Sequence, residues 1–262
     1  MPAKPTLLVL DYPGRRPDAH VSDMHLERYG FDCEYALTPP LPTALTAPAY
    51  ARQLSERLGP GRPIAVVSYC GAAPLAIAMA RLLAGPDGDP VPIAFLNPAQ
   101  TPPNDIVREY AAAVRQVEGR APAIKRPPLL DIERLLATPE LLVRRIEADL
   151  RLRAGLTLEA YGLDGTDTSG TTDTVVGMYV EWLTFHVAAH YDEQPAPKGQ
   201  LLQVISQEHP ADASWLGVAD VHTVRVPCEL VELAVHADAR AAVLDFLHRV
   251  AFPASAALDT RK

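Results

Sequence analysis

The segment around residue 70 constrains the fold of this chain more than any other part of the sequence. Residues 64–67 (IAVV) are apolar and mostly β-branched, which favours a buried strand. Residues 73–84 consist mainly of alanine and leucine, which have high helix propensity. Only Ser68-Tyr69-Cys70-Gly71-Ala72 separates the two segments. Because so short a link joins a strand to a helix, the sequence predicts a tight strand–turn–helix unit.

The rest of the sequence continues this alternation of strands and helices. Apolar runs that predict strands occupy residues 6–10 (TLLVL), 91–96 (VPIAFL), 201–206 (LLQVIS) and 222–226 (HTVRV). Apolar residues at helical spacing occupy residues 49–58 and 238–250. Strands that are apolar throughout belong to sheets covered on both faces, and their alternation with helices indicates parallel pairing. The predicted fold class is therefore α/β, a mainly parallel central sheet with helices on both faces.

The middle of the chain predicts helices only. They are expected at residues 105–117, 131–135, 139–153 and 174–190, whereas the polar residues 164–173 (DGTDTSGTTD) are expected to form a loop. An all-helical insertion between strands is most simply a lid over the carboxyl edge of the sheet. We therefore predict a single domain over residues 1–262, with a helical lid at about residues 104–193.

The charge balance argues against nucleic acid as a partner. The net charge is −8 and the pI is near 5.5, whereas phosphate binding needs a clustered basic face. An acidic protein partner would need a local basic patch on this chain. The sequence offers one candidate patch, although basic residues on solvated helix faces explain it more simply. That candidate comprises Arg120, Lys125, Arg126, Arg144, Arg145, Arg151 and Arg153.

The sequence carries no membrane or disulfide signal. No apolar run approaches the roughly 20 residues that span a bilayer, and residues 1–5 lack the layout of a signal peptide. We therefore expect no membrane partner and a cytoplasmic location. Cys33, Cys70 and Cys228 are scattered and match neither a disulfide framework nor a zinc pattern, so each is considered as a thiol and no metal is expected.

Cys70 lies where a catalytic nucleophile lies in a strand–turn–helix elbow. Such an elbow requires small residues two positions before and after the nucleophile, and Ser68 and Ala72 meet that requirement. The start of the following helix favours a thiolate and supplies amide donors for an oxyanion. The alternative is that Cys70 is a small buried residue at a strand–helix junction.

With these features the chain resembles the α/β-hydrolase-fold thioesterases of polyketide and nonribosomal peptide biosynthesis, the type II thioesterases among them. The resemblance covers nearly the whole length. It rests on the first strand with its Pro13-Gly14 turn, the elbow, the strand that ends in Asn97-Pro98, the helical segment, and Val226-Pro227 before the last helix. It implies an α/β-hydrolase fold with a helical lid and a covalent acyl intermediate on Cys70.

The chain departs from this family at the acid of the catalytic triad. The resemblance implies an aspartate where this chain has Asn97. An asparagine can orient the histidine of a cysteine triad, because a thiol needs less general-base help than a hydroxyl. A turn-forming asparagine before Pro98 explains the residue equally well.

The second departure concerns the histidine. The family has Gly-Asp-His just after the last strand, where this chain has Pro227-Cys228-Glu229. The predicted substitute is His209, because the loop after strand 201–206 emerges at the same edge of a parallel sheet as Cys70. His186 and His190 form a pair on one predicted helix, and such a pair is more often structural. Six other histidines stay open as candidates: His20, His25, His186, His190, His222 and His236.

The chemistry of a cysteine thioester favours transfer, because such a thioester exchanges readily with a thiol or an amine and hydrolyses slowly. The resemblance therefore implies a thioesterase or acyltransferase of natural-product biosynthesis that releases or transfers acyl or aminoacyl groups held by an acyl or peptidyl carrier protein. The implied oxyanion hole uses the amides of Gly71 and of Tyr12 or Pro13. No bound cofactor is expected, since the phosphopantetheine arm belongs to the carrier protein.

Two other functions stay open. One is a catalytically degenerate relative that binds an acyl chain or a carrier protein, which the missing aspartate and histidine would suit. The other is a different α/β hydrolase, such as an esterase or a cyclase, with a rearranged triad.

Overall fold

The computed structural model describes residues 4–11, 20–84, 91–119, 127–163, 165–190, 199–210 and 221–252, the side chains of residues 165–169 excepted. The chain divides into two compact units. The first, called the sheet unit, comprises Met1–Pro39, Ala47–Gln100 and Asp192–Lys262. The second, called the helical unit, comprises Pro40–Thr46 and Thr101–Tyr191. A single domain in which the helices form a lid stays a prediction.

The sheet unit is built on a parallel sheet. Six strands lie within the described residues: β1 Thr6–Leu10, β2 Asp32–Tyr35, β3 Ala65–Tyr69, β4 Ile93–Leu96, β5 Leu201–Ser206 and β6 Val221–Val226. They are hydrogen-bonded in the order β2-β1-β3-β4-β5-β6, and every neighbouring pair is parallel. The predicted α/β class is therefore confirmed, and the sequence missed β2, which has no apolar run.

The helices divide between the two units. In chain order they are α1 Ala47–Ser55, α2 Ala73–Ala84, α3 Pro103–Glu118, α4 Ile132–Leu135, α5 Pro139–Ala160, α6 Gly165–His190 and α7 Ala237–Ala251. In the sheet unit, α2 packs against β3 and β4, and α7 packs against β5 and β6. None of the helices in the described part of the chain is long and apolar enough to cross a lipid bilayer.

Both faces of the sheet are buried. Leu7 and Val9 of β1 belong to one core cluster with Val243 and Phe246 of α7. Leu8 alternates with them, so its side chain lies on the opposite face, and it is also fully buried. This is why the strands read as continuous apolar runs.

The register of the sheet brings several polar residues to one edge. Leu10 pairs with Ser68, and Tyr69 pairs with Leu96. Because all the strands run in the same direction, their carboxyl ends lie at the same edge. The residues that directly follow β1, β3, β4 and β5 at this edge are Asp11, Cys70, Asn97 and Gln207.

The helical unit has its own core. Side chains of α3, α5 and α6 form a buried apolar cluster that includes Ile106, Ile146 and Leu183. The amide of Leu41 donates to Glu181 Oε2 at 3.2 Å, which links the short segment 40–46 to α6. The unit therefore combines helices with one distant stretch of chain.

One member of the expected basic patch is buried. Arg153 is 2% exposed; its Nε donates to Asp149 Oδ2 and its Nη1 to Glu118 Oε1, both at 2.6 Å. The buried Tyr110 hydroxyl donates to the same Asp149 oxygen at 2.5 Å. A buried guanidinium needs such partners to offset its desolvation, so the prediction of a surface role for Arg153 is wrong. Of the others, Arg144, Arg145 and Arg151 are exposed, and Arg120, Lys125 and Arg126 lie outside the described residues.

The expected loop at residues 164–173 is also wrong, since α6 begins at Gly165. Glycine, threonine and aspartate have low helix propensity, and tertiary contacts override that preference. Arg151 of α5 forms an ion pair with Asp173, and the Thr174 hydroxyl donates to the Gly170 carbonyl at 2.8 Å. Packing of α6 against α5 thus extends the helix into a segment that looks like a linker.

Candidate active site

Cys70 lies on a sharp turn between a buried strand and a buried helix. β3 ends at Tyr69, and Cys70 opens a 3₁₀ turn that leads into α2. The φ angle of Cys70 is 50°, in the left-handed region that costs a non-glycine residue roughly 1–2 kcal/mol. The residues on either side of it are buried, whereas Cys70 itself is half-buried. This strand–turn–helix geometry presents the thiol at the carboxyl edge of the sheet.

The neighbours of Cys70 are small because they are enclosed. Ser68 is 1% exposed and Ala72 is fully buried, so larger side chains at these positions would have no space. The Cys70 carbonyl accepts hydrogen bonds from the amide of Ala73 and, at 3.2 Å, from the amide of Ala99. The turn is therefore held both by its own helix and by the segment that follows β4.

Asn97 is fully buried next to this turn. Its φ angle is 45°, and its Oδ1 accepts a hydrogen bond from the amide of Ser206 at 2.8 Å. Its Nδ2 is buried and has no hydrogen-bond partner among the described residues. The turn conformation and the bond to Ser206 give Asn97 a structural role at the ends of β4 and β5. Its orientation of a catalytic histidine stays a prediction.

His209 lies in the turn after β5 and is half-buried. Its Nε2 is 3.0 Å from the Pro98 carbonyl oxygen. A carbonyl only accepts, so Nε2 carries the proton and Nδ1 is the basic atom of the neutral ring. Burial lowers the pKa of His209, the Pro98 carbonyl opposes that shift, and the charge of Arg225 adds to it. The ring is therefore biased toward its neutral, basic form.

Arg225 of β6 holds the loop that carries His209, a contact that sequence reasoning missed. Its Nη1 donates to the carbonyl oxygens of Ser206 at 3.1 Å, Gln207 at 2.7 Å and His209 at 3.1 Å. The only signal in the sequence is a charged residue inside the run VRV. The geometry makes Arg225 a positioning residue for His209.

The two other thiols differ from Cys70. Burial and the nearby Glu27 raise the pKa of Cys33 to about 12. Cys228 is buried, and burial with the charge of Glu232 raises its pKa. Both thiols are thus held protonated, which leaves them poor nucleophiles.

The predicted oxyanion donors are described only in part. Gly71 is buried in the 3₁₀ turn that precedes α2. Tyr12 and Pro13 lie outside the described residues. Proline has no N–H group, so Pro13 is excluded as a donor on chemical grounds, and Tyr12 stays a prediction.

The remaining histidines have separate surroundings. His186 is buried in the helical unit with its ring edge-on to Trp182, and His190 Nδ1 is 2.8 Å from the Thr101 carbonyl oxygen. His236 caps α7, where its Nδ1 accepts from the Asp238 amide. His222 lies at the amino end of β6 and lines a cavity of about 470 Å³ at the edge opposite Cys70.

Comparison with known proteins rests on solved structures. No family model and no curated protein matches the chain. A four-domain nonribosomal peptide synthetase bound to AMP and glycine is 13% identical, with a TM-score of 0.53 over 95% of this chain and 19% of that one. This chain thus spans about a fifth of that protein.

Together with the all-parallel sheet and the turn at Cys70, this likeness decides the fold. The chain has the α/β-hydrolase fold. Two other similar structures have lower TM-scores. The NocB thioesterase domain is 14% identical with a TM-score of 0.44, covering 95% of this chain and 96% of that one. A structure of epoxide hydrolases of the α/β-hydrolase superfamily is 13% identical with a TM-score of 0.44, covering 93% of this chain and 91% of that one.

Proposed function

We propose that this protein is an enzyme that takes an acyl or aminoacyl group from a carrier-protein thioester onto Cys70 and then releases or transfers it. The observation that supports the proposal is the position of Cys70, a half-buried thiol at positive φ on the turn between β3 and α2. A non-glycine residue in that conformation is uncommon and is concentrated at functional sites. The two other cysteines do not share this position.

The first half of the reaction needs a base for the thiol. In our proposal the Cys70 proton passes to Nδ1 of His209, and Sγ attacks the carbonyl carbon of the thioester. The bond between that carbon and the carrier's sulfur breaks, and the leaving thiolate takes the proton from the imidazolium. In the second half a new acceptor attacks the acyl group on Cys70, and the Cys70 thiol leaves. A thiol acceptor returns a thioester, and water releases the acid.

Two features support His209 in this role. Its loop leaves the same edge of the sheet as Cys70, and its Nε2 is occupied by the Pro98 carbonyl, which leaves Nδ1 as the basic atom. The buried Nδ2 of Asn97 is a donor without a described partner beside this loop. Donation from this group to Nδ1 would occupy the lone pair that has to take the Cys70 proton, so in this proposal the Pro98 carbonyl orients the ring and Asn97 holds the turn. The loss of the family's aspartate is therefore compatible with thiol chemistry.

The oxyanion and the partner complete the proposal. The Gly71 amide, in the 3₁₀ turn before α2, is the proposed donor to the developing oxyanion, with the Tyr12 amide as the second. The partner is an acyl or peptidyl carrier protein, which brings the substrate on its own phosphopantetheine arm.

A non-catalytic relative that binds an acyl chain or carrier protein is the second candidate. It is favoured by the segment after β6, where Pro227-Cys228-Glu229 replaces the family's histidine and Cys228 is buried. Such a protein would bind substrate without forming a covalent adduct.

Intact mass spectrometry separates the two candidates. Wild type, Cys70→Ala and the control Cys33→Ala are incubated with a panel of acyl- and aminoacyl-pantetheine thioesters. We expect adducts on wild type and Cys33→Ala, none on Cys70→Ala, and faster loss of the adduct with a thiol than with water. An adduct that persists on Cys70→Ala contradicts the proposal, as does the absence of any adduct from folded wild type across the panel.

A further inference from the structure

A carboxylate–histidine pair lies at the same edge of the sheet as Cys70. Asp11 directly follows β1, and its Oδ1 is 3.5 Å from Nδ1 of His20. Burial raises the pKa of Asp11, and the amides of Val21 and Ser22 and the charge of His20 oppose that shift. The Asp11 side chain is 16% exposed and that of His20 is 38% exposed. A largely buried carboxylate thus contacts a ring that remains accessible to solvent.

The pair is next to the elbow. Leu10 pairs with Ser68, so Asp11 lies one residue beyond this pair and Cys70 two residues beyond it, at the ends of strands about 4.8 Å apart. The 3₁₀ turn Val21–Met24, which begins directly after His20, contacts β3. Its Val21 belongs to the core cluster against which Cys70 packs. The pair therefore lies at the elbow on the side of β1.

The backbone of His20 is held in place by the turn that follows it. The His20 amide donates to Asp23 Oδ2 at 2.9 Å, and the His20 carbonyl accepts from the Asp23 amide at 3.0 Å. The ring contacts Asp11 through Nδ1, which leaves Nε2 as the atom available to a substrate. Asp11 Oδ1 makes no hydrogen bond within the described residues, so the carboxylate acts on the ring through its charge and stabilises the imidazolium once it forms.

The sheet order places this pair and His209 on opposite sides of Cys70. β1 is the neighbour of β3 on one side, whereas β4 and then β5, whose loop carries His209, follow on the other. Resting on the proposed function, we propose that His20, oriented by Asp11, is the general base for the acceptor in the second half of the reaction. This assigns a base to each half of the transfer.

The proposed step balances without another reactant. The S–H proton of the acceptor thiol passes to Nε2 of His20, and the acceptor sulfur bonds to the carbonyl carbon of the acyl-Cys70 thioester. The bond between that carbon and Sγ breaks, and its electron pair remains on Sγ, which takes the proton from the imidazolium. A thiol of ordinary pKa is mostly protonated near neutral pH, so this step gains from a base.

His20 suits the acceptor because its side chain is 38% exposed and the atom that contacts Asp11 is Nδ1, not Nε2. The Nε2 atom of His209 is engaged by the Pro98 carbonyl. In the other pair, the His20 side chain is more exposed than the Asp11 carboxylate that it contacts. An acceptor arrives from solvent after the donor has left. We therefore expect the acceptor thiol to meet the His20 ring.

The test separates the two half-reactions. The acyl-pantetheine that loads Cys70 fastest is used to form the acyl-enzyme, excess donor is removed, and N-acetylcysteamine is added as acceptor. Formation and loss of the adduct are followed by intact mass spectrometry for wild type, His20→Gln, Asp11→Asn and His209→Gln. His25→Asn is the matched control, because His25 is exposed in the same segment and asparagine tolerates its φ angle of 52°.

We expect His20→Gln to load Cys70 at nearly the wild-type rate and to lose the acyl group to the acceptor roughly 100-fold more slowly. Asp11→Asn should slow the same step by a smaller factor, and His25→Asn should change neither step. Transfer at the wild-type rate by His20→Gln overturns the inference, as does an equal loss in both steps. If His20→Gln does not fold, Asp11→Asn decides by the same two rates. Absence of an adduct on wild type overturns the proposed function instead.

Discussion

Arg225 donates from Nη1 to the backbone carbonyl oxygen of His209 at 3.1 Å. The same atom contacts the carbonyls of Ser206 and Gln207, so one guanidinium from β6 organises the whole turn after β5. Its charge also lowers the pKa of His209, in addition to the larger effect of burial. Arg225 therefore acts on both the position and the protonation of the proposed base.

Replacing Arg225 should impair loading of Cys70 and change its pH dependence. In Arg225→Gln the loop loses its cation, and we expect loading to slow roughly 10- to 100-fold, the range expected when a catalytic group is misplaced. Removal of the positive charge lets the pKa of His209 rise. On acidification, His209 therefore becomes protonated at a higher pH than in the wild type. The acidic limb of the loading rate should therefore move to higher pH. The measurement is the rate of adduct formation between pH 5 and 8.

Two variants control this experiment. Arg225→Lys keeps the charge and loses the forked geometry, so it should slow loading with a smaller shift of the acidic limb. Arg249→Gln makes the same charge change near the opposite edge of the sheet, where Arg249 lines the cavity with His222, and should change neither property. An unshifted limb in Arg225→Gln would show that Arg225 does not act on His209.

Asn97 should contribute to stability through its bond to the Ser206 amide. Asn97→Gly removes the side chain and tolerates the positive φ angle, so the buried Ser206 amide loses its partner. We expect the free energy of unfolding to fall by about 1–3 kcal/mol. Urea denaturation followed by circular dichroism measures it, with the exposed Asn104→Gly as control. A loss no greater than that of the control would argue against this role.

Alkylation should distinguish the three thiols. At pH 8 a thiol with a pKa near 12 is ionised to on the order of one part in ten thousand, which applies to Cys33. Cys228 is buried, and burial raises its pKa. We expect iodoacetamide to label Cys70 first, as determined by peptide mass spectrometry after timed quenching. Labelling of Cys33 or Cys228 ahead of Cys70 would contradict a reactive thiol at the elbow.

The buried arginine of the helical unit should matter far more than its exposed neighbour. Arg153→Gln leaves Asp149 and Glu118 without their cation in a buried network, and removal of one partner from such a network costs about 3–5 kcal/mol. Arg151→Gln, two residues earlier on α5, removes exposed ion pairs to Glu147 and Asp173 and should cost about 0–1 kcal/mol for each. Thermal and urea unfolding of both variants check this, and similar losses would refute it.

The strand–turn–helix at Cys70 could be predicted because its causes are local. An apolar β-branched run, small residues on the turn and an alanine-rich helix lie in one continuous segment, and each favours the same conformation. The bounds of β1 and β5 agree with the predicted residues 6–10 and 201–206 for the same reason. β2 escaped prediction because an edge strand has few buried neighbours and therefore no apolar run.

The errors arose where distant contacts override local preference. Residues 165–173 form a helix through contacts with α5, and Arg153 is buried because its carboxylate and carbonyl partners come from other segments. The contacts of Arg225 with the His209 turn, and the approach of Asp11 to His20, likewise join residues whose sequence spacing carries no signal.

Local sequence patterns were thus sufficient for the α/β class, the parallel sheet and the thiol at the turn, because backbone preference and hydrophobic periodicity act over a few neighbouring residues. Only the tertiary structure determined which groups surround that thiol. Strand order and register determine which side chains share the carboxyl edge of the sheet, and hydrogen bonds between remote segments determine which imidazole nitrogen remains basic.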